Sequence, residues 1–418
     1  MKKRLTMLSA VLMLTLTLTA CDMQGFAENF LNNTMPTTNI ELESEAVMRQ
    51  KNLSGYGYEA LQTDEERRVY ALLDAGLSSL CAPEFVIYDQ ETLDNMGSIL
   101  EMYKSDHPEV FWIDDNYGYE YTQYPTYTAV KVLTTVEYDE LIQAHRIFEA
   151  AVEDFFAEMP SDLSDYRKEL YINDRLLALC AYDDDAAKQE KVVGNEQNAY
   201  GALVDHKAVC EGYTRAFQLL CTRAGIPCIS VNGVCDGSRS GISGNHIWNA
   251  VRLDGDWYYV DATWNDFTPE ESDYKLTDIE KHLYFNVTTE RLERDHAINP
   301  AYGADGKADY YNAFVPECTA EKYNYFHRSV PALTDLDDCD EFLSAFTAAA
   351  ANGDETFSFR VSDNLDYGDT MEEITNGYAV SWIDYSNSVN DDDHQLSEKS
   401  LVFSYEEMNV AAFSFIYR

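Results

Sequence analysis

Asp254-Gly255 is the feature that most limits how this chain can fold. An Asp-Gly pair between two apolar-rich runs is a strong signal for a two-residue hairpin loop, because both loop positions tolerate positive φ. The run before it is Asn245-His246-Ile247-Trp248-Asn249-Ala250-Val251-Arg252-Leu253. The run after it is Asp256-Trp257-Tyr258-Tyr259-Val260-Asp261-Ala262-Thr263-Trp264. With Leu253 opposite Asp256, Trp248 falls opposite Asp261 and His246 opposite Thr263. Strand parity then puts His246 and Asp261 on one face as diagonal neighbours, about 7–8 Å apart at Cα and closer at their side chains. A carboxylate in that place can hold an imidazole in one tautomer and one orientation. The other face carries Ile247, Val251, Leu253, Tyr258, Val260 and Ala262, suited to packing under a helix. A bulge in either strand would shift the register by one and separate the pair.

A second segment supplies a thiol. It reads Gly201-Ala202-Leu203-Val204-Asp205-His206-Lys207-Ala208-Val209-Cys210-Glu211-Gly212-Tyr213. Ala216, Phe217, Leu219, Leu220 and Ala224 follow at helical spacing, and Gly225 and Pro227 close the run. Cys210 is therefore expected in the first turn of a buried helix. The helix dipole and the N–H groups of that turn favour a thiolate and can hold an oxyanion. A thiol, a base and an orienting carboxylate in this order are the ingredients of cysteine nucleophilic catalysis. Taken singly, each has a plainer explanation: a core cysteine, a half-buried histidine, a hairpin aspartate.

Three stretches, Val209–Tyr213, Asn245–Asn249 and Trp257–Trp264, resemble the transglutaminase-like superfamily. The resemblance covers roughly residues 170 to 290. It implies a papain-like α+β core, with a Cys-bearing helix packed on an antiparallel sheet that bears the His and the Asp. It also implies Cys210 as nucleophile, His246 as general base and acid, and Asp261 as the orienting carboxylate. Tyr200, ten residues before the thiol, is the candidate to complete the oxyanion hole. Trp248 and Trp264 are candidates to line the cleft. The expected chemistry is a thioester acyl-enzyme formed on amide bonds of peptides or proteins, resolved by water or by an amine. No cofactor is implied. A catalytically silent binding module on the same scaffold, or a purely structural envelope protein, remains open on sequence grounds.

The first residues suggest an address. Lys2, Lys3 and Arg4 precede an uncharged apolar run, Leu5 to Ala20, which is too short to span a bilayer comfortably. The segment ends Leu18-Thr19-Ala20-Cys21, which resembles a bacterial lipobox and marks Cys21 for lipidation. The expectation is a signal peptide over 1–20, a tether over 21–45, and a chain held outside the cytoplasmic membrane by its lipid. Net charge agrees with extracytoplasmic solubility and disfavours nucleic acid: 74 Asp+Glu against 30 Lys+Arg give −44, which repels phosphate backbones.

The rest divides into an N-terminal α+β region (46–165), the core (166–295) and a C-terminal α+β region (300–418). Thr63-Asp64-Glu65-Glu66 opens a helix. Ser98 to Tyr103 and Leu141 to Met159 read as helices. Phe85 to Tyr88, Val110 to Ile113 and Tyr127 to Thr135 read as strands. Farther on, Leu336–Ala351 and Thr370–Thr375 read as helices, and Thr356–Val361, Tyr378–Tyr385, Leu401–Tyr405 and Ala412–Tyr417 as strands. Nine cysteines include no CxxC pair, so a structural zinc site is not expected. His206 and Cys210, four apart, form at most half of a metal site. Disulfides are permitted outside the cell, but sequence does not assign pairs.

Overall fold

The computed structural model describes residues 40–114, 118–136, 138–189, 194–237, 243–266, 278–304 and 311–418. The leader, Cys21 and the tether up to residue 39 lie outside these. The tether as read to residue 45 overruns a helix, because α1 (Ile40–Arg49) starts at residue 40. Its first turn carries Glu41 and Glu43 and its last turn Arg49, charges placed in favour of the helix dipole. The Arg49 guanidinium is anchored by Glu45, Asp74 and Ser78.

The chain forms two compact units. The first comprises the residues through Asp106 together with Trp112–Gln143. It contains α2 (Asp64–Leu77), β1 (Glu84–Ile87), α3 (Met96–Asp106), β2 (Tyr119–Tyr124) and β3 (Tyr127–Val132). Thr63 and Glu66 close a reciprocal capping box at the start of α2. The strands form an antiparallel sheet in the order β1-β3-β2. The apolar run Val110–Ile113 is not a strand. It follows the His107-Pro108 turn and is buried, and its β-pairing among the described residues is the isolated bridge between Ile113 and Thr134.

The second unit comprises His107–Phe111 and Ala144–Arg418. It takes in most of α4 (Tyr138–Phe156), then α5 (Asp165–Leu179), β4 (Ala181–Tyr182), β5 (Lys207–Ala208) and α6 (Cys210–Arg223). There follow β6 (Cys228–Cys235), β7 (Gly244–Leu253), β8 (Asp256–Val260), the short α7 (Ala262–Asn265) and β9 (His296–Ile298). The sheet order is β8-β7-β6-β9, antiparallel throughout. The hairpin register is the one the two-residue loop predicts, with Leu253 opposite Asp256 and Asn249 opposite Val260. At Asp261 the chain leaves the ladder to cap α7, so Thr263 lies in that helix and not opposite His246.

Helix α6 packs on β6 and β7 and against α5. Asn249 pins it: its amide Nδ2 donates to Thr214 O of α6 and Ile229 O of β6, at 3.1 and 3.3 Å. Thr214 Oγ1 answers by donating to Ile247 O at 2.9 Å. Gly233 sits at the centre of the sheet, where an added Cβ would collide with the Trp248 ring and the Ala297 carbonyl. Beneath α6 lies a buried polar layer. Glu169 is fully buried and accepts from Asn286 Nδ2 at 2.9 Å. Burial pushes its carboxyl up to about 8.

The C-terminal part of this unit is a sheet in the order β10-β11-β13-β12. Its strands are β10 (Ala332–Leu333), β11 (Thr356–Val361), β12 (Leu401–Tyr405) and β13 (Val410–Ser414). The sheet is accompanied by α8 (Asp340–Ala351), α9 (Tyr367–Glu373) and α10 (Ala379–Val389). The segment expected as a strand at Tyr378–Tyr385 is thus mostly helix. Its buried residues, Trp382, Ile383 and Ser386, follow helical spacing and not alternation. Trp382 and Ile383 join a core of Phe342, Phe346, Phe357, Phe359 and Phe413. No helix among the described residues is long and apolar enough to cross a membrane.

Glu169 keeps its proton in the fold at pH values where the unfolded chain has lost it. Such a group contributes stability below about pH 4, and that contribution is lost as pH rises through its folded value of about 8. The expected outcome is that Glu169→Gln reduces the fall in unfolding temperature between pH 5 and pH 8. Calorimetry of both proteins across that range checks it, and equal slopes would refute it.

Candidate active site

Cys210 is the first residue of α6, with Val209 as the N-cap. The approach to it is fixed by a two-residue parallel pairing, Ala181 with Lys207 and Tyr182 with Ala208. It is also fixed by Val209 N–H donating to Glu196 O at 2.8 Å. Gly212 belongs to the same turn, where a Cβ would run into the Glu196 carbonyl and Ala208. The thiol is partly exposed, and it sits at the positive end of a 14-residue helix. His206, the other half of the notional metal pair, is not on this helix. It occupies an exposed left-handed turn at φ 59° ahead of β5.

His246 lies on β7 and is buried. Its Nε2 is 2.7 Å from Asp261 Oδ2, which leaves Nδ1 as the nitrogen available to Cys210. Burial opposes charge on this ring. The Asp261 charge and hydrogen bond, and then Cys210, outweigh burial and hold His246 well above the ordinary imidazole value. Asp261 is fully buried. Its Oδ1 accepts the Trp264 N–H at 3.0 Å as the N-cap of α7. Burial would raise its pKa, but the charge and hydrogen bond of His246, joined by His296, hold it below the usual carboxylate range. His246 thus stands in interaction with Asp261 on one side and Cys210 on the other.

Tyr200 is not with them. Its ring packs against Phe111 and Phe148, with centroids at 4.8 and 6.0 Å. The tyrosine in electrostatic reach of Cys210 is Tyr182, whose phenol is held up by burial first and then by Cys210. A two-residue strand pairing places it there, and nothing in the local sequence announces that pairing. Trp248 and Trp264 are 0% and 2% exposed, so they do not line an open cleft. They clasp the imidazole, with ring centroids 5.8 and 6.0 Å from that of His246.

Sequence reasoning also missed His296. Its Nε2 lies 3.2 Å from the same Asp261 oxygen, and its Nδ1 lies 2.6 Å from Asp295 Oδ1. His246, Asp261 and His296 bring one potential ligand atom each within 4.8 Å of one another. A metal seat needs those atoms to converge on an empty point about 2.0–2.2 Å from each. Here both imidazole nitrogens are aimed at one carboxylate oxygen at hydrogen-bond distance, so the cluster reads as a hydrogen-bonded one. Every cysteine among the described residues is a free thiol.

Comparison with known proteins bears on this same segment. Residues 154–262 match the Transglutaminase-like superfamily, and all three predicted triad residues fall within the match. Kyphoscoliosis peptidase of Mus musculus is 33% identical over 124 residues, 28% of this chain and 18% of that protein. Kyphoscoliosis peptidase of Homo sapiens is 33% identical over 122 residues, 27% of this chain and 18% of its own. The chain therefore spans under a fifth of the length of these curated relatives. A TGase crystal structure is similar at 14% identity and TM-score 0.26, over 47% of this chain and 54% of that one.

Asp261→Asn removes the charge that holds His246 up but leaves an acceptor for the Trp264 N–H. His246 should then fall toward the ordinary imidazole range. Alkylation of Cys210 by iodoacetamide at pH 6 should slow by roughly tenfold or more, as followed by peptide mass spectrometry. An unchanged rate would show that Asp261 does not act on Cys210 through His246.

Proposed function

We propose that the transglutaminase-like domain at residues 154–262 is a thiol enzyme that opens amide bonds of peptides or proteins through a thioester on Cys210. The observation that carries this reading is the buried 2.7 Å contact between His246 and Asp261, set beside a thiol at a helix N-terminus. His246 takes the Cys210 proton, and the thiolate adds to the substrate carbonyl. The N–H groups of the first turn of α6 lack intrahelical acceptors and face the developing oxyanion. Tyr182, whose phenol interacts with Cys210, is the side chain we take to assist them. The tetrahedral adduct collapses as His246 gives its proton to the leaving amine, and the acyl group stays on sulfur. His246 then deprotonates water for hydrolysis or a primary amine for transamidation. The relatives' name, peptidase, favours hydrolysis.

The setting we propose is the cell envelope, with Cys21 lipidated and the acidic chain displayed outside the cytoplasmic membrane. Peptides or proteins at the surface are then the partners, and the lipid at Cys21 anchors the chain to the membrane.

Two experiments test this. The wild-type chain should create new N-termini in a denatured protein mixture, read by mass spectrometry. Cys210→Ala should reduce them by about a thousandfold or more with an unchanged unfolding temperature. New isopeptide links in their place would assign transamidation. Neither product, with Cys210 alkylating as an ordinary thiol of pKa about 8.5, would move the silent binding module ahead. Separately, the chain produced with its leader in a bacterium fed labelled palmitate should take up label and follow the detergent phase. Cys21→Ala should lose both properties, and an unlabelled wild-type chain would remove the anchor.

A further inference from the structure

His296 lies outside the matched segment, at the start of β9, which pairs with β6 so that Cys235 stands opposite it. Its ring is walled by Trp264 and Trp248, at centroid distances of 4.4 and 5.0 Å, and by Tyr284 and His246, both at 5.5 Å. Its side chain is out of contact with solvent. The informative feature is what its two nitrogens face. Nε2 meets Asp261 Oδ2 at 3.2 Å and Nδ1 meets Asp295 Oδ1 at 2.6 Å.

An ionised carboxylate only accepts hydrogen bonds, and a neutral imidazole has only one N–H to give. One ring between two ionised carboxylates must donate from both nitrogens, and a ring that does so is an imidazolium. Both carboxylates have reason to be ionised. Asp261 also accepts from His246 and from the Trp264 N–H. Asp295 Oδ2 accepts from Tyr284 OH at 2.6 Å and from Arg291 at 3.0 Å. Burial resists charge on Asp295, yet His296 first, then Tyr284 and Arg291, hold it below the usual carboxylate range. His296 itself is held above the ordinary imidazole value by Asp261 and Asp295, against burial.

From His246 onward, groups of opposite sign follow one another by contact: the His246 ring, Asp261, the His296 ring, Asp295 and Arg291, with Cys210 on the far side of His246. We propose that His296 is a charged positioning residue of this site. It fixes Asp261 Oδ2 in line with His246, and its positive charge sets the pH range over which the Cys210–His246 ion pair exists. The second half of this statement rests on the reading of Cys210 and His246 as nucleophile and base.

The groups facing His296 are Asp261 at the head of α7, His246 on β7, Cys235 on β6, and Asp295 with Arg291 and Tyr284 from the segment before β9. Among these, His296 is the cation that shares an oxygen with His246. Its charge disfavours a second proton on His246 and favours a thiolate at Cys210. Removing that charge should move both limbs of the pH profile to the alkaline side.

Two variants of the full chain separate charge from packing. His296→Gln keeps an N–H donor for Asp261 and removes the cation. Asp295→Asn leaves His296 in place and removes the carboxylate that calls for the second proton. In wild type, ¹⁵N-histidine NMR should show both nitrogens of His296 protonated from pH 6 to 8, the signal being assigned by its loss in His296→Gln. In both variants, iodoacetamide alkylation of Cys210 should keep its sigmoidal onset but shift it by about one pH unit upward, which is about tenfold slower below the onset. A merely structural histidine would lower the unfolding temperature and leave the onset where it was. A singly protonated His296 at pH 7, or an unmoved onset in both variants, overturns the proposal. Should wild-type Cys210 alkylate as an ordinary thiol, the functional reading fails and takes the pH-setting role with it, while the NMR still decides whether His296 is charged.

Discussion

The Asp261 carboxylate is the interaction on which the site depends. A buried charge is costly unless it is paired and fully hydrogen-bonded. Asp261 meets that condition with three donors from three places: the Trp264 N–H of its own helix turn, His246 of β7, and His296 of β9. Each donor ties a different element to one point. The sheet order makes this possible, because β7 and β9 flank β6 on either side. The His246 and His296 strands can then approach the same oxygen across Gly233 and Cys235. Gly233 supplies the room, since the Trp248 ring occupies the space its side chain would take.

The same unit buries other carboxylates and treats them differently. Glu169 receives an amide donor from Asn286, and its carboxyl is pushed up by burial to about 8. Asp266 receives the Tyr213 hydroxyl and is pushed up by burial to about 7. Glu169 thus meets a neutral amide, and at Asp266 the pull of Lys281 is smaller than the effect of burial. Asp261 has two rings that can carry positive charge, and it alone of the three is held down. Burial is common to all three, so the identity of the donors decides the charge. That is how one buried layer supplies neutral packing groups beneath α6 and an ionised orienting group beside His246.

Much of this was legible in the sequence where the constraint was local. The Asp254-Gly255 loop set the register, the register put His246 and Asp261 on one face, and the helical spacing after Cys210 placed the thiol at a helix start. Even there the ladder that points to Asp261 stops one residue before it. The carboxylate arrives as an N-cap, a geometry compatible with the same face. What could not be read was non-local. Tyr182 reaches Cys210 through a pairing only two residues long, below the length at which alternation is visible, and Tyr200 was chosen on spacing alone. His296 opens a strand of three residues, and only the sheet order reveals that it shares a carboxylate with His246. After Tyr378 the apolar residues fit both a strand and a helix period, and Trp382 packs on Phe342 and Phe413 in the helical one.

The overall charge sharpens the demand on the site. With a formal net charge of −44, the long-range field of this chain favours protonated imidazoles and disfavours a thiolate. A lone cysteine in such a field would be held as the thiol. The arrangement around Cys210 opposes that field at short range, where screening is weak inside the fold. The positive end of α6 and the His246 ring stand at Cys210, and behind Asp261 lie the His296 ring, Asp295 and Arg291. The net-acidic surface and the groups beside Cys210 thus act on the sulfur over different distances.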